Sequence, residues 1–206
     1  AILWPGLSIK EPQVFKERLY EHQLNGLRFW DGRGRKALWG HDMGLGKTHT
    51  GAWLCYNNVF AERYRRILVF TLSSIVPKWS ALLTRFAVPH IIIDKDTDTL
   101  NIPEGVVVLC SFERCRTVRP PADLKGKDLE RWKRKPLIER LSPLFFKGQF
   151  DLIMADESHR LNKIGNICVE ILSRLITAET HVLFMSGTPF GNGFHEAYPQ
   201  MNLIEP

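Results

Sequence analysis

The chain has 206 residues, of which 44% are hydrophobic and 24% charged, an ordinary globular composition that excludes long disorder and supplies one sizeable core. Four cysteines are too sparse for a disulfide framework and point to a reducing compartment, cytoplasm or nucleus, and no run approaches the roughly 18 apolar residues of a membrane span. The formal net charge of +6 is localised: residues 113–147 hold eleven basic and five acidic side chains, so the whole excess lies in one segment.

In chain order, KALW at 36–39 opens a series of short apolar runs, continued by ILVF at 67–70, III at 91–93, VVVLC at 106–110, DLIMA at 151–155 and HVLFM at 181–185. None of them alternates, which predicts strands buried on both faces. Between them, GKTHTGAWLCYNNVFAERY, PKWSALLTRFA and NICVEILSRLI have the spacing of amphipathic helices. Strand and helix in alternation predict an α/β fold with a mostly parallel sheet, helices on both faces and right-handed crossovers, as one domain over 1–206. After VVVLC, Pro120 and Pro121 end an element, and a basic helical insert is expected at about 113–147. That segment reads either as a solvated helix face or as a contact to a phosphate backbone, with Trp132 as a stacking or cation–π group. The lack of an initiator methionine and the end at NLIEP predict a piece of a longer protein.

HDMGLGKTHT, at 41–50, follows a predicted strand and opens a predicted helix. There, backbone N–H groups and the helix N-terminus converge on an anion. Gly44 and Gly46 let the backbone approach phosphates, Lys47 reaches the β and γ oxygens, and Thr48 holds Mg²⁺. The position where such a loop usually begins with glycine is His41. About a hundred residues on, DLIMADESH puts Asp156 and Glu157 at a strand's C-terminal end, where open parallel sheets bind ligands. Asp156 suits a Mg²⁺ ligand and Glu157 a group that polarises the attacking water. Taken alone, DESH also reads as a surface turn with Ser158 capping a helix.

MGLGKT, DESH and MSGTP together resemble motifs I, II and III of helicase superfamily two, in particular of the Swi/Snf-type DNA translocases. In that family the first glycine is often absent, so His41 does not count against a working loop. The resemblance implies a RecA-like P-loop NTPase lobe, with a nucleotide surrounded by Met43, Gly44, Leu45, Gly46, Lys47, Thr48 and His49. It implies catalytic roles for Lys47, Asp156 and Glu157, and coupling of the ATP state through His159, Ser186, Gly187 and Thr188. LYEHQLNGLRFW resembles the family's glutamine motif, in which Gln23 would contact adenine; its plain reading is an exposed helical glutamine. Ser186 and Thr188 could equally cap a helix after Pro189.

VFTLSSIVPKW resembles motif Ia, with Thr71 where a proline is customary, and VVVLCSFERCR resembles motif Ib. These imply nucleic-acid contacts at Ser73, Ser74, Lys78, Arg114 and Arg116, and the basic insert adds Arg131, Lys133, Arg134 and Lys135. Trp79 is expected to be core packing. GNGFHEAYPQ departs from the polar run that usually follows the third motif. The expected cofactors are ATP and Mg²⁺, and the expected partners are duplex DNA and a second RecA-like lobe of the same parent chain, with no membrane and no stable homo-oligomer. The other readings are an RNA helicase of the same superfamily and a nucleic-acid binding module with a vestigial ATP site.

Overall fold

The computed structural model describes residues 19–60, 64–93, 102–116, 125–134, 148–163, 165–189 and 193–205. Six strands, β1 (Lys36–Trp39), β2 (Arg66–Thr71), β3 (His90–Ile92), β4 (Val106–Ser111), β5 (Leu152–Asp156) and β6 (His181–Met185), form one sheet in the order β1-β6-β5-β2-β4-β3. Every pairing is parallel. Among the described residues the α-helices are α1 (Glu21–Gly32), α2 (Lys47–Phe60), α3 (Val76–Arg85), α4 (Phe112–Arg116), α5 (Gly126–Arg134), α6 (Ile167–Leu175) and α7 (Tyr198–Ile204). None of the described helices is long and apolar enough to cross a membrane.

Strand side chains alternate between two cores, as the pleat requires. Leu68, Phe70, Ile153 and Phe184 join Cys168, Leu172 and Leu175 of α6 and Leu203 of α7 on one face. Ile67, Val69, Met154 and Met185 join Leu27 and Trp30 of α1 and Trp79 and Leu83 of α3 on the other. Phe70 and Phe112 are fully buried and stack at 5.9 Å between ring centroids, each burial contributing roughly 1.5–3 kcal/mol. Local signals set the helix starts. Asn166 accepts the Cys168 N–H at 3.0 Å as the α6 cap, and Pro77 occupies the first turn of α3, where its missing N–H costs nothing.

The expectation of strands buried on both faces holds for β2, β4, β5 and β6 and fails at the margins. β1 alternates between partly and fully buried residues, and β3 is partly exposed throughout. Both are edge strands, so each lacks a neighbour to cover one side. β5 runs one residue later than DLIMA suggests, from Leu152 to Asp156, and the Asp151 carboxylate just before it accepts the backbone N–H groups of Arg65 and Arg66. Tyr64, expected in the helix that became α2, lies beyond it and meets His181 Nδ1 through its hydroxyl at 2.6 Å.

Topology positions the site. Because β6 lies between β1 and β5, and β2 adjoins β5, the loops after β1, β6, β5 and β2 stand side by side along the C-terminal edge of the sheet. Four motifs separated widely in sequence become one row.

Candidate active site

The loop between β1 and α2 is shaped by two glycines. Gly44 and Gly46 have φ of 86° and 77°, a region closed to most side chains. His41 is not among the residues with positive φ, so the place usually held by glycine makes no left-handed demand here. Its ring stacks on Trp39 at 5.4 Å and lies 3.0 Å from where a Cβ on Gly26 would stand. Burial, aided by Lys47 and His22, pushes the His41 pKa down and favours the neutral ring.

Thr50 is the residue of α2 whose N–H bonds back to Gly46 O, at 2.9 Å. The amides of Lys47 and Thr48 precede it at the helix start, where no intrahelical acceptor exists. The Lys47 ammonium is nearly buried and donates to the carbonyls of His41 and Asp42 at 2.8 and 3.0 Å, inside the curve of its own loop. Anionic phosphate is a stronger acceptor than either carbonyl.

Gln23 is buried rather than an exposed helical glutamine. Its amide Nε2 donates to Leu45 O at 3.2 Å, and its Oε1 accepts the Tyr20 N–H at 3.0 Å. His22 reaches the same Leu45 carbonyl at 3.1 Å. The start of α1 is thus tied to the phosphate-loop backbone. Met43 and Leu45 are exposed on the loop. The His49 ring turns away to meet Phe86 edge-on at 5.5 Å, and its burial there lowers its pKa.

Asp156, only 2% exposed, receives three donors. Thr48 Oγ1 and the Trp79 indole Nε1 donate to Oδ2 at 3.0 and 2.9 Å, and the Glu157 amide donates to Oδ1 at 3.1 Å. Trp79 is core packing, as expected, and also a donor to this buried acid, which was not expected. Nothing in PKW signals a partner 77 residues away. Glu157 sits in the left-handed region with φ 59° and ψ 46°, a placement that costs a non-glycine residue roughly 1–3 kcal/mol and is typical of functional sites. Its carboxylate lies 3.2 Å from His159 Nδ1, which is 3.3 Å from Ser186 Oγ.

Ser186 is therefore not capping a helix. Its hydroxyl meets His159 and accepts the Thr188 N–H at 3.1 Å, while the next described helical turn begins at Phe194 with Gly193 as its cap residue. Gly187 packs on the phosphate loop so closely that a Cβ would stand 2.8 Å from Met43 Cγ and 3.6 Å from Lys47 Nζ. Ser158 does not cap either: its hydroxyl is fully buried and has no hydrogen-bond partner among the described residues.

The expected nucleic-acid residues fall into three groups. Ser73, Ser74 and Lys78 are exposed on the turn after β2 and the start of α3, with the Ser73 N–H bonded to the Glu113 carboxylate at 2.9 Å. Arg114 is half-buried on α4, its N–H held by Ser111 Oγ at 3.0 Å. Arg131 is exposed on α5. The side chains of Arg116, Trp132, Lys133 and Arg134, and all of Lys135, lie outside the described residues.

The family model of the SNF2-related domain matches residues 22–206. The bifunctional helicase and thymine dioxygenase JBP2 of Leishmania tarentolae is 31% identical over 166 residues, covering 76% of this chain and 14% of that protein. The RNA polymerase-associated protein RapA of Haemophilus influenzae is 23% identical over 185 residues, covering 83% of this chain and 18% of that protein. The Sulfolobus solfataricus SWI2/SNF2 ATPase core, solved in complex with dsDNA, shares the fold with a TM-score of 0.69 at 19% identity, over 95% of this chain and 37% of its own. The chain thus spans less than a fifth of the length of these two curated relatives. On a match that runs through nearly the whole chain and through every motif in the row, the chain belongs to the SNF2-related domain family.

Proposed function

We propose that this chain is the first RecA-like lobe of a DNA-dependent ATPase that translocates on duplex DNA, using ATP with Mg²⁺. The observation that carries the reading is the meeting of Thr48 Oγ1 and Asp156 Oδ2 at 3.0 Å, at the start of the helix that opens with Lys47. A hydroxyl and a carboxylate at the mouth of a phosphate loop are hard oxygen ligands, the donor set that Mg²⁺ takes together with phosphate oxygens. The residues present fit the ion, which when bound would neutralise charge on the β and γ phosphates.

Lys47 would exchange its loop carbonyls for phosphate oxygens and hold the γ-phosphate in line with water. The Glu157 carboxylate would orient that water and accept its proton as the oxygen bonds to phosphorus and the bond to the β–γ bridging oxygen breaks. His159, between Glu157 and Ser186, would relay the state of the γ-phosphate to the loop after β6. The second RecA-like lobe of the parent protein that the resemblance implies would complete the nucleotide cleft, and cytoplasm or nucleus would be the compartment.

The test is ATP hydrolysis by the full-length protein without nucleic acid and with duplex DNA, single-stranded DNA or RNA, alongside Glu157→Gln. Duplex DNA is expected to stimulate turnover and the substitution to abolish it. Stimulation by RNA alone would replace the duplex-DNA assignment by an RNA helicase, and no turnover under any condition would overturn the ATPase reading.

A further inference from the structure

A buried carboxylate must be matched by donors, and what those donors can do otherwise decides how firmly it is held. Of the two side chains on Asp156 Oδ2, Thr48 has a hydroxyl that rotates and whose lone pairs can turn to a cation, whereas an indole N–H is a donor and nothing else. The Trp79 ring cannot swing away. It is fully buried, and its outer edge lies against α2 so tightly that a Cβ on Gly51 would stand 2.7 Å from Cη2. Gly51 is on the helix that starts with Lys47 and Thr48. One side chain from α3 therefore touches the phosphate-loop helix with its ring and the acid at the end of β5 with its nitrogen.

We propose that Trp79 is a positioning residue of the nucleotide site, whose indole N–H fixes the Asp156 carboxylate in the orientation that meets a divalent cation. The proposal rests on the nucleotide-site reading above. Filling the space between α2, α3 and the sheet requires only a bicyclic ring of this shape, which benzothienylalanine would supply without the N–H. The nitrogen is needed only by Asp156. Hydrogen-bond partners behind a metal ligand orient it, and their loss typically weakens the metal about 10–100-fold.

The test uses the full-length protein in two altered forms: Trp79→Phe, and site-specific replacement of Trp79 by benzothienylalanine, which keeps the bicyclic shape and puts sulfur in place of N–H. A fluorescent, non-hydrolysable ATP analogue is titrated in EDTA and over a range of Mg²⁺ concentrations. Both forms are expected to bind the analogue in EDTA as the wild type does and to need about 10–100-fold more Mg²⁺ for half-maximal enhancement. Unchanged Mg²⁺ dependence, with a normal wild type, would overturn the role of Trp79 alone. Equal weakening with and without Mg²⁺ would overturn it too, because that is the mark of lost packing. A wild type without Mg²⁺-dependent nucleotide binding would overturn the site reading itself, and this proposal with it. Should Trp79→Phe fail to fold, the benzothienylalanine form decides.

Discussion

Gln23 Nε2 stands 2.5 Å from where a Cβ on Gly46 would be, and Gly46 has φ 77°. Two separate demands thus fall on one glycine. The backbone demand alone costs an alanine about 1–2 kcal/mol, and the contact forces Gln23 off Leu45 O as well. Gly46→Ala is expected to lower nucleotide affinity more than Gly44→Ala does, since Gly44 has φ 86° but nothing within 4 Å of an added Cβ. Because the clash needs the Gln23 amide, Gly46→Ala combined with Gln23→Ala should lose less affinity than the sum of the two single losses. Isothermal titration of the three single variants and the double variant checks this; equal effects of the two glycine substitutions would refute it.

Ser158 invites the opposite kind of change. Its hydroxyl is fully buried without a partner among the described residues, and an unsatisfied buried polar group costs about 1–3 kcal/mol. Ser158→Ala deletes the hydroxyl and leaves a gap of one oxygen atom. The expected outcome is a stabilisation of about 1 kcal/mol, which raises the thermal midpoint of a chain this long by about 2–4 °C, with ATP turnover by the full-length protein unaltered. A lower midpoint would mean that the hydroxyl has a partner after all.

The two positions illustrate what a sequence discloses. Gly46 was legible because a phosphate loop needs a left-handed glycine at a fixed place, a local requirement written in adjacent residues. The strands were legible for the same reason, as apolar runs punctuated by turns. Ser158 and Trp79 were not, since their significance lies in partners they meet or lack after the sheet assembles. The order β1-β6-β5-β2-β4-β3 brings α3 beside Asp156, and no spacing within VFTLSSIVPKW encodes that. The edges of the sheet were missed likewise: KALW and III look like the inner strands, and only topology leaves them uncovered. Gln23 was placed near the nucleotide by resemblance, but its bond to Leu45 O is a tertiary fact.

Three histidines set an acid limit. Burial is the largest cause lowering the pKa values of His41, His49 and His181, with Lys47 and His22 adding at His41 against Asp42, and Arg35 and Lys36 adding at His181 against Asp151 and Asp31. Their folded values lie below the ordinary value of about 6.5. Between the two values the unfolded chain binds more protons than the folded one, so stability rises with pH there. The contribution is therefore complete above about pH 6.5 and declines as pH falls through that value toward the folded pKa values. Thermal midpoints at pH 7.5, 6.5 and 5.5 should fall in that order, and His181→Gln should flatten the slope. A midpoint that rose on acidification would contradict this account.

The basic segment offers the last contrast, because a helix face that is merely solvated and one that contacts phosphate respond differently to salt. Arg131 is exposed on α5, and Lys133, Arg134 and Lys135 follow in sequence. Each phosphate neutralised contributes about −0.9 to the slope of log affinity against log salt on duplex DNA. If all four residues make such contacts, replacing them with glutamine should reduce the magnitude of the slope by up to about 3.6 and weaken binding to all sequences alike. Lys47→Ala, which touches the nucleotide loop, should leave the slope unchanged while stopping ATP turnover. Fluorescence anisotropy of the full-length protein on labelled duplex, at several salt concentrations, separates the cases. An unaltered slope in the fourfold variant would assign the segment to solvent and leave nucleic-acid contact to the turn after β2 and to α4.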